Sequence, residues 1–429
     1  MKTKGFLMVG SLLLLFALPL FASGGTEKPV TIRFVHHDAE SSPSTKPIYD
    51  AIGAYAKTVA NKYTLVQETA PSDTLKSKIQ IDMSSNNLPD IMWYWGAASD
   101  ASALVKSGMV LNVDDFFAKS GMSRADFKDL WDGVTVDGKN YCLPVDNLIS
   151  SWVVNKSLFK QYGLSYPKTY SDVMELAKTF NQHGIITLGF GSKGGNPSNW
   201  VVDMVYSQYP GSRKELLDIS NKWTVDTDGF RKTLGLFEDL INAHAFPDDM
   251  VANGDWGPYW ALFTSGKAAI SWGWSGMIAG LRDAKFDWEL IDQPQVNGTN
   301  HDTSKDLYAY SGAGIMISKK SFNDPKKQAA IIDFVKFYFS DDMQRTMLYS
   351  NGVIPTRQNV SYDASKLDPI VVQVMKYVEG RKPFLTHLST IPVSSVWVDY
   401  ESGLDEFFAK NMTPAQYVDY VQASMKKNR

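Results

Sequence analysis

Flat aromatic rings and hydroxyl-binding side chains keep company along this chain. They meet in His36-His37-Asp38, in Trp93-Tyr94-Trp95, in Asp146-Asn147, and around Asn196, Asn199 and Trp200. They meet again in Asp255-Trp256 with Tyr259 and Trp260, in Trp272-Gly273-Trp274-Ser275, in Tyr310-Ser311-Gly312, and at Arg357. A sugar ring has an apolar face of C–H groups and an equator of hydroxyls. Indole and phenol rings cover such a face with large rigid area. Asp, Asn, Arg and His bind the equator. A buried hydroxyl left unpaired costs about 1–3 kcal/mol, so the polar set would supply selectivity. The candidate ligand-binding residues are therefore His37, Asp38, Trp93, Tyr94, Trp95, Asp146, Asn147, Trp200, Trp256, Trp272, Trp274, Tyr310 and Arg357. Trp274, between Gly273 and Ser275, is the strongest of them.

Each has a plainer reading. Strand neighbours point to opposite faces, so only part of Trp93–Trp95 reaches a cleft. Trp256 and Trp260 stand one helical turn apart and could seal a lobe. Asp146 could serve a hairpin or a cap, and Arg357 could be a surface residue. His36 and His37 should diverge, which argues against a shared metal. Cys142 is the sole cysteine; no intrachain disulfide or cysteine-rich metal site is possible, and a small buried hydrophobe is its default role.

Motifs for catalysis are missing: no His-Glu-x-x-His, no Gly-x-Ser-x-Gly, no phosphate loop and no dinucleotide fingerprint. A glycosidase needs only two facing carboxylates, for which Asp146, Asp255 and Asp302 would be the suspects. Binding without catalysis, with no cofactor and no metal, is the expectation. A glycan-handling enzyme and a binder of some non-sugar solute are the alternatives.

The chain of 429 residues holds 12 Trp, 20 Tyr and 22 Phe, a high aromatic load, and carries a net charge of −3. Basic patches are lacking, so nucleic acid is a poor partner. Residues 1–25 read as an export leader: Lys2 and Lys4, an apolar run from Phe6 to Phe21, then small residues, with cleavage after Ala22 or Gly24. Losing the two lysines takes the charge from −3 to −5. No cysteine stands at the leader boundary, so lipid attachment is not expected, and a periplasmic or extracellular location is. Beyond residue 25 no apolar stretch approaches membrane-spanning length.

The first half alternates strand and helix: strands at Val30–His36, Tyr63–Glu68 and Ile91–Trp95, helices at Ile48–Asn61, Leu75–Met83 and Ala101–Lys106. That rhythm predicts an α/β fold with a mostly parallel sheet. Asp137-Gly138 predicts a hairpin turn within Val134–Tyr141. Thr169/Asp172 and Thr413/Gln416 are spaced as capping boxes, and Asp324-Pro325 opens a helix. No Pro/Gly/Ser seam divides the chain. Two lobes would have to be joined by ordered crossings at Leu143–Leu148, Lys305–Gly312 and Asn351–Arg357, a hinge suited to a cleft that opens and closes.

Several segments, in order, resemble the extracellular sugar-binding proteins of ABC importers, the group that includes maltose-binding protein. They are Asn86-Asn87-Leu88-Pro89-Asp90-Ile91, Ser107–Val113, Asp137–Pro144, Val154-Asn155-Lys156-Ser157-Leu158-Phe159, Tyr162–Tyr170, Phe263–Trp274 and Gly352-Val353-Ile354-Pro355-Thr356-Arg357. Cys142 stands where the family has Gly or Ala, and Val154 where it has Tyr. The resemblance implies a two-lobed periplasmic-binding-protein fold with discontinuous lobes and a hinged interlobe cleft. It divides the chain into a leader (1–25), an N-terminal lobe (26–143 and 306–352) and a C-terminal lobe (144–305 and 353–429). By the same resemblance, Trp274 would stack on a sugar, residues 36–38, 93–95 and 146–147 would line the cleft, and Arg357 would approach it late in the chain. Little basic character accompanies these clusters, which favours a neutral mono- or oligosaccharide over a phosphate ester. A monomer that delivers its ligand to ABC permease subunits in a membrane is the implied partnership.

Overall fold

The computed structural model describes residues 29–42, 45–145, 147–212, 214–215, 219, 222–252, 254, 256–383, 391 and 393–429. The leader expected at 1–25, Asp146 and Asp255 lie outside the described residues, as does the side chain of Tyr310. Two sheets organise the chain. The first takes β1 (Val30–His36), β2 (Tyr63–Thr69), β3 (Ile91–Trp95), β4 (Leu143–Pro144) and, from much later, Ala313–Ile317. The second takes β5 (Leu148–Asn155), β6 (Ile186–Leu188), β7 (Ala268–Trp274), β8 (Trp288–Ile291), β9 (Asp306–Tyr310) and a final Lys382–Pro383 strand. Numbering the late strands in turn, Ala313–Ile317 is β10 and Lys382–Pro383 is β11.

Register explains the gap between the lobes. In the first sheet β1 and β3 run parallel and end at His36 and Trp95. β10 starts there, with Ala313 opposite Trp95, and β4 ends there, with Pro144 opposite Gly314. In the second sheet β7 ends with Trp274 opposite Ser150, while β9 ends with Tyr310 opposite Leu148, where β5 begins. The strand ends of both sheets therefore face each other where the chain passes from β4 to β5 and at 311–312. Backbone bonds tie both crossings to the first sheet: Val145 N–H donates to the Ala313 carbonyl of β10, and Gly96 N–H, just after β3, to that of Gly312.

Two expectations need correction. The first sheet is only half parallel, because β10 re-enters from the second lobe and must run away from the rim, antiparallel to β3 and β4. Residues 306–310 belong to the second sheet, paired with β5, so we place that boundary at 311–312 and not before Asp306. The expected hairpin forms at 135–140, with Asp137 and Gly138 both at positive φ, the requirement of a type I′ turn. Both capping boxes close, at Thr169/Asp172 and Thr413/Gln416. Asp324 accepts from Lys326 N–H, with Pro325 in the first turn. Caps of this kind contribute about 1 kcal/mol each.

Each sheet has its own core. Ile32, Phe34, Ile91, Ile315, Phe334 and Tyr338 pack in the first; Trp152, Phe180, Phe230, Trp272, Tyr400 and Tyr417 pack on one face of the second. A third cluster, with Ile149, Val153, Phe263, Leu307 and Leu367, covers its other face. Cys142 is wholly buried. Among the described residues, no helix is long and apolar enough to cross a membrane.

Candidate functional site

On the first rim, β1 delivers His36, His37 and Asp38. The two imidazoles diverge, as strand alternation requires. His36 is wholly buried and stacks on Phe34, ring centres 4.7 Å apart. Its Nε2 lies 3.0 Å from the Gln67 amide nitrogen, and its Nδ1 lies 3.3 Å from an Asp38 carboxylate oxygen. His37 swings the other way and lies 3.8 Å, ring centre to ring centre, from Trp93. Burial holds its imidazole below the ordinary value, opposed by Asp38. The His37 Nδ1 is buried and has no hydrogen-bond partner among the described residues.

Strand β3 adds the Trp-Tyr-Trp triplet. Trp93 and Tyr94 are buried, and only Trp95 keeps part of its surface open. Trp95 meets Trp93 edge to face at 4.9 Å, and the Lys76 ammonium sits 4.6 Å above it. Lys76 is also paired with Asp100 at 2.6 Å.

The second rim is built on β7, whose alternation sends Trp272 and Trp274 to one face. Trp272 is wholly buried opposite Trp152. Trp274, the last strand residue, is half-buried and meets Trp200 edge to face at 4.8 Å and Trp272 at 4.9 Å. Trp260 lies over the bare face of Gly273, and Trp256 packs towards Tyr259 and Trp272. Trp272-Gly273-Trp274 closes the strand. Asn199 and Trp200 stand on the first turn of the Ser198–Tyr206 helix behind a small hairpin at 192–197.

Two acidic residues on the Ser394–Phe408 helix complete this rim, and sequence reasoning missed them. Asp405 accepts from Ser192 Oγ at 2.7 Å, Gly194 N–H at 2.6 Å and Gly195 N–H at 3.0 Å, pinning the hairpin. Glu401 Oε1 accepts from the side-chain amides of Asn196 at 3.2 Å and Asn199 at 3.4 Å. Burial pushes the Glu401 carboxyl up to about 7; Lys76 and the Asn196 amide oppose the rise, while Asp100 and Asp405 add to it. Lys76 and Asp100 belong to the first lobe and Glu401 to the second, so the two rims meet electrostatically at this point.

The sign of the pH effect follows. The folded state holds the Glu401 proton more tightly than an unfolded chain does, where the ordinary value is 4.5. The stabilising contribution is complete below that value and is lost as pH rises through about 7. Glu401→Gln should therefore match the wild type in urea unfolding near the ordinary value and exceed it above about pH 8. Equal stabilities at both ends would remove this role.

Not every candidate joins the site. Asn147 lines a cavity with Ile149 and Leu307, on the other face of the second sheet from Trp274. Arg357 is committed elsewhere: its Nε donates to the Asp126 carbonyl at 3.0 Å, one terminal nitrogen donates to that of Phe339 at 3.3 Å, and its plane lies over Phe127. It straps the third crossing to the first lobe. Asp302 accepts from Ser304 N–H and Oγ and pairs with Lys305 at 3.1 Å, an exposed turn. Asp146 and Asp255, its suspected carboxylate partners, are outside the described residues.

The model for the family described as "Bacterial extracellular solute-binding protein" matches residues 39–345. Solved structures of the same fold span almost the whole chain. One comes from work on xylan utilization by the thermophilic bacterium Caldanaerobius polysaccharolyticus; it is 24% identical, with a TM-score of 0.76, covering 92% of this chain and 100% of its own. A chitin oligosaccharide binding protein is 18% identical at a TM-score of 0.76, with 94% and 99% covered. A Streptococcus pneumoniae solute-binding protein in complex with the blood group A-trisaccharide is 20% identical at 0.74, with 92% and 100% covered. No curated protein sequence matches the chain.

Proposed function

This chain belongs to the bacterial extracellular solute-binding protein family, and from that premise we propose that it captures a neutral mono- or oligosaccharide between its lobes and hands it to the permease of an ABC importer. One observation carries the reading. Trp274 and Trp200 stand beside Asn196, Asn199 and Glu401 on one rim, while the opposite rim offers Trp95, Lys76, His37 and Asp38. Rings for a sugar's apolar face and acceptors for its hydroxyls lie on two surfaces that a hinge can bring together. Proteins of this fold bound to a trisaccharide, or described as binding chitin oligosaccharides, support the carbohydrate class.

The mechanism is closure. Ligand bridges both rims and shifts the population towards the closed form by its greater affinity for it. The chain acts as a monomer, exported by a cleaved leader at 1–25, and it binds without catalysis. Asp146 and Tyr310 remain candidates from the sequence. Tryptophan fluorescence titration against neutral xylo-, chito-, malto- and galacto-oligosaccharides tests the proposal. One class should saturate a single site with micromolar affinity or tighter, about −8 kcal/mol or better. Silence across the panel would contradict it, and shortened glycan products would favour an enzyme.

A further inference from the structure

Behind the crossings lies a second cavity, of about 640 Å³, within the range of small-molecule sites. It is separate from the gap between the rims. Along β5, Ser150 and Trp152 face the Trp272 and Trp274 side, while Ile149 and Val153 belong to the opposite cluster. The cavity opens on that opposite side, with Ile149, Leu307, Ile354, Leu367 and Met375 among its apolar walls. Two crossings contribute to it directly, through Asn147 and Ile354.

Two polar groups in this apolar setting lack partners. The half-buried Lys128 ammonium has no hydrogen bond or ion pair among the described residues, and burial holds it below its ordinary pKa. Of the other charged residues on the wall, Arg381 is already held by Asp292 and lies over Tyr377, while Lys376 and Glu379, opposite in charge, are both exposed. Asn147 is only 5% exposed, and its Oδ1 is buried with no donor among the described residues. An unpaired, partly desolvated charge and an unpaired buried acceptor both carry a cost that a ligand can relieve. They are matched by an anion and by a hydroxyl on one apolar molecule.

We propose that this cavity binds a monocarboxylic acid with an apolar body and a distal hydroxyl, the carboxylate on Lys128 and the hydroxyl donating to Asn147 Oδ1. The site is independent of the sugar reading, because Asn147 is the one sugar candidate from the sequence among its lining residues, and the structure turns it away from the Trp274 rim. Calorimetric titration of the whole chain with 10-hydroxydecanoate, below its aggregation limit, is the test. Decanoate, which lacks the hydroxyl, should bind about fivefold more weakly, and 1,10-decanediol, which lacks the carboxylate, at least about tenfold more weakly. Lys128→Met should erase the preference for acid over diol, and Asn147→Ala the preference for 10-hydroxydecanoate over decanoate. Trp274→Ala should leave all three affinities unchanged. No binding of 10-hydroxydecanoate, binding indifferent to Lys128→Met, or loss of binding in Trp274→Ala would each overturn the proposal; the last would put the acid in the gap between the rims. Should a variant unfold, the ranking of the three compounds on the wild-type chain still decides.

Discussion

Replacing Trp274 by Ala is expected to weaken sugar binding about 30- to 100-fold while leaving the chain folded. The magnitude comes from area. An indole covering roughly 100 Å² of sugar face at about 25 cal/mol per Å² contributes about 2.5 kcal/mol. The folding cost is smaller, because Trp274 is half-buried and meets Trp200 and Trp272 only edge to face; such ring pairs contribute about 0.5–1.5 kcal/mol each. Trp272→Ala gives the contrast. That indole is wholly buried within the second core, so its removal should cost about 3–5 kcal/mol of stability. Calorimetric titration alongside urea unfolding separates the two. A Trp274 variant that loses stability on the Trp272 scale would make Trp274 a core residue and remove it from the site.

Gly314→Ala should cost the chain several kcal/mol, among the largest effects available from one methyl group. A Cβ at this position would lie 1.9 Å from the Leu143 carbonyl oxygen and 2.9 Å from Cys142 Sγ. The first obstacle is backbone and cannot rotate away. β10 and β4 would have to part where both enter the crossings between lobes. Overpacking alone costs about 1–3 kcal/mol, and broken ladder hydrogen bonds add to it. Gly53→Ala is the control, since a Cβ there meets nothing closer than 3.9 Å, in the Lys46–Thr58 helix. It should be neutral or stabilising by up to about 1 kcal/mol. Equal unfolding midpoints for the two variants would mean that the close approach at Gly314 is not real.

Strands dense in branched and aromatic residues are legible to the residue: Val30–His36 and Ile91–Trp95 match the expectation. β9 and β10 were not. Asp306–Tyr310 reads from the sequence as part of the crossing at Lys305–Gly312, and Ala313–Ile317 after it is not read as a strand. Only pairing with β5 and β3 shows them to be strands of different lobes. That pairing also decided the sheet's polarity, which a local β-α-β rhythm does not carry. In the site, composition identified the rings but not which ones face the gap. The difference between Trp272 and Trp274 is a matter of depth along one strand face. Asn147 went astray for a related reason, since its side of the second sheet follows from β5 packing. Glu401 and Asp405, four apart on a helix, have the spacing of an ordinary solvated face. They become site residues only because the 192–197 hairpin docks on them, a contact between segments some two hundred positions apart. Arg357 was misjudged because its carbonyl partners, Asp126 and Phe339, are remote in sequence.

Small-angle scattering of the whole chain, recorded with and without the oligosaccharide that titrates its tryptophan fluorescence, tests closure most directly. The account predicts that saturating sugar lowers the radius of gyration and that Trp274→Ala requires correspondingly more sugar for the same change. An unchanged radius at saturation, with sugar demonstrably bound, would contradict capture by two closing lobes.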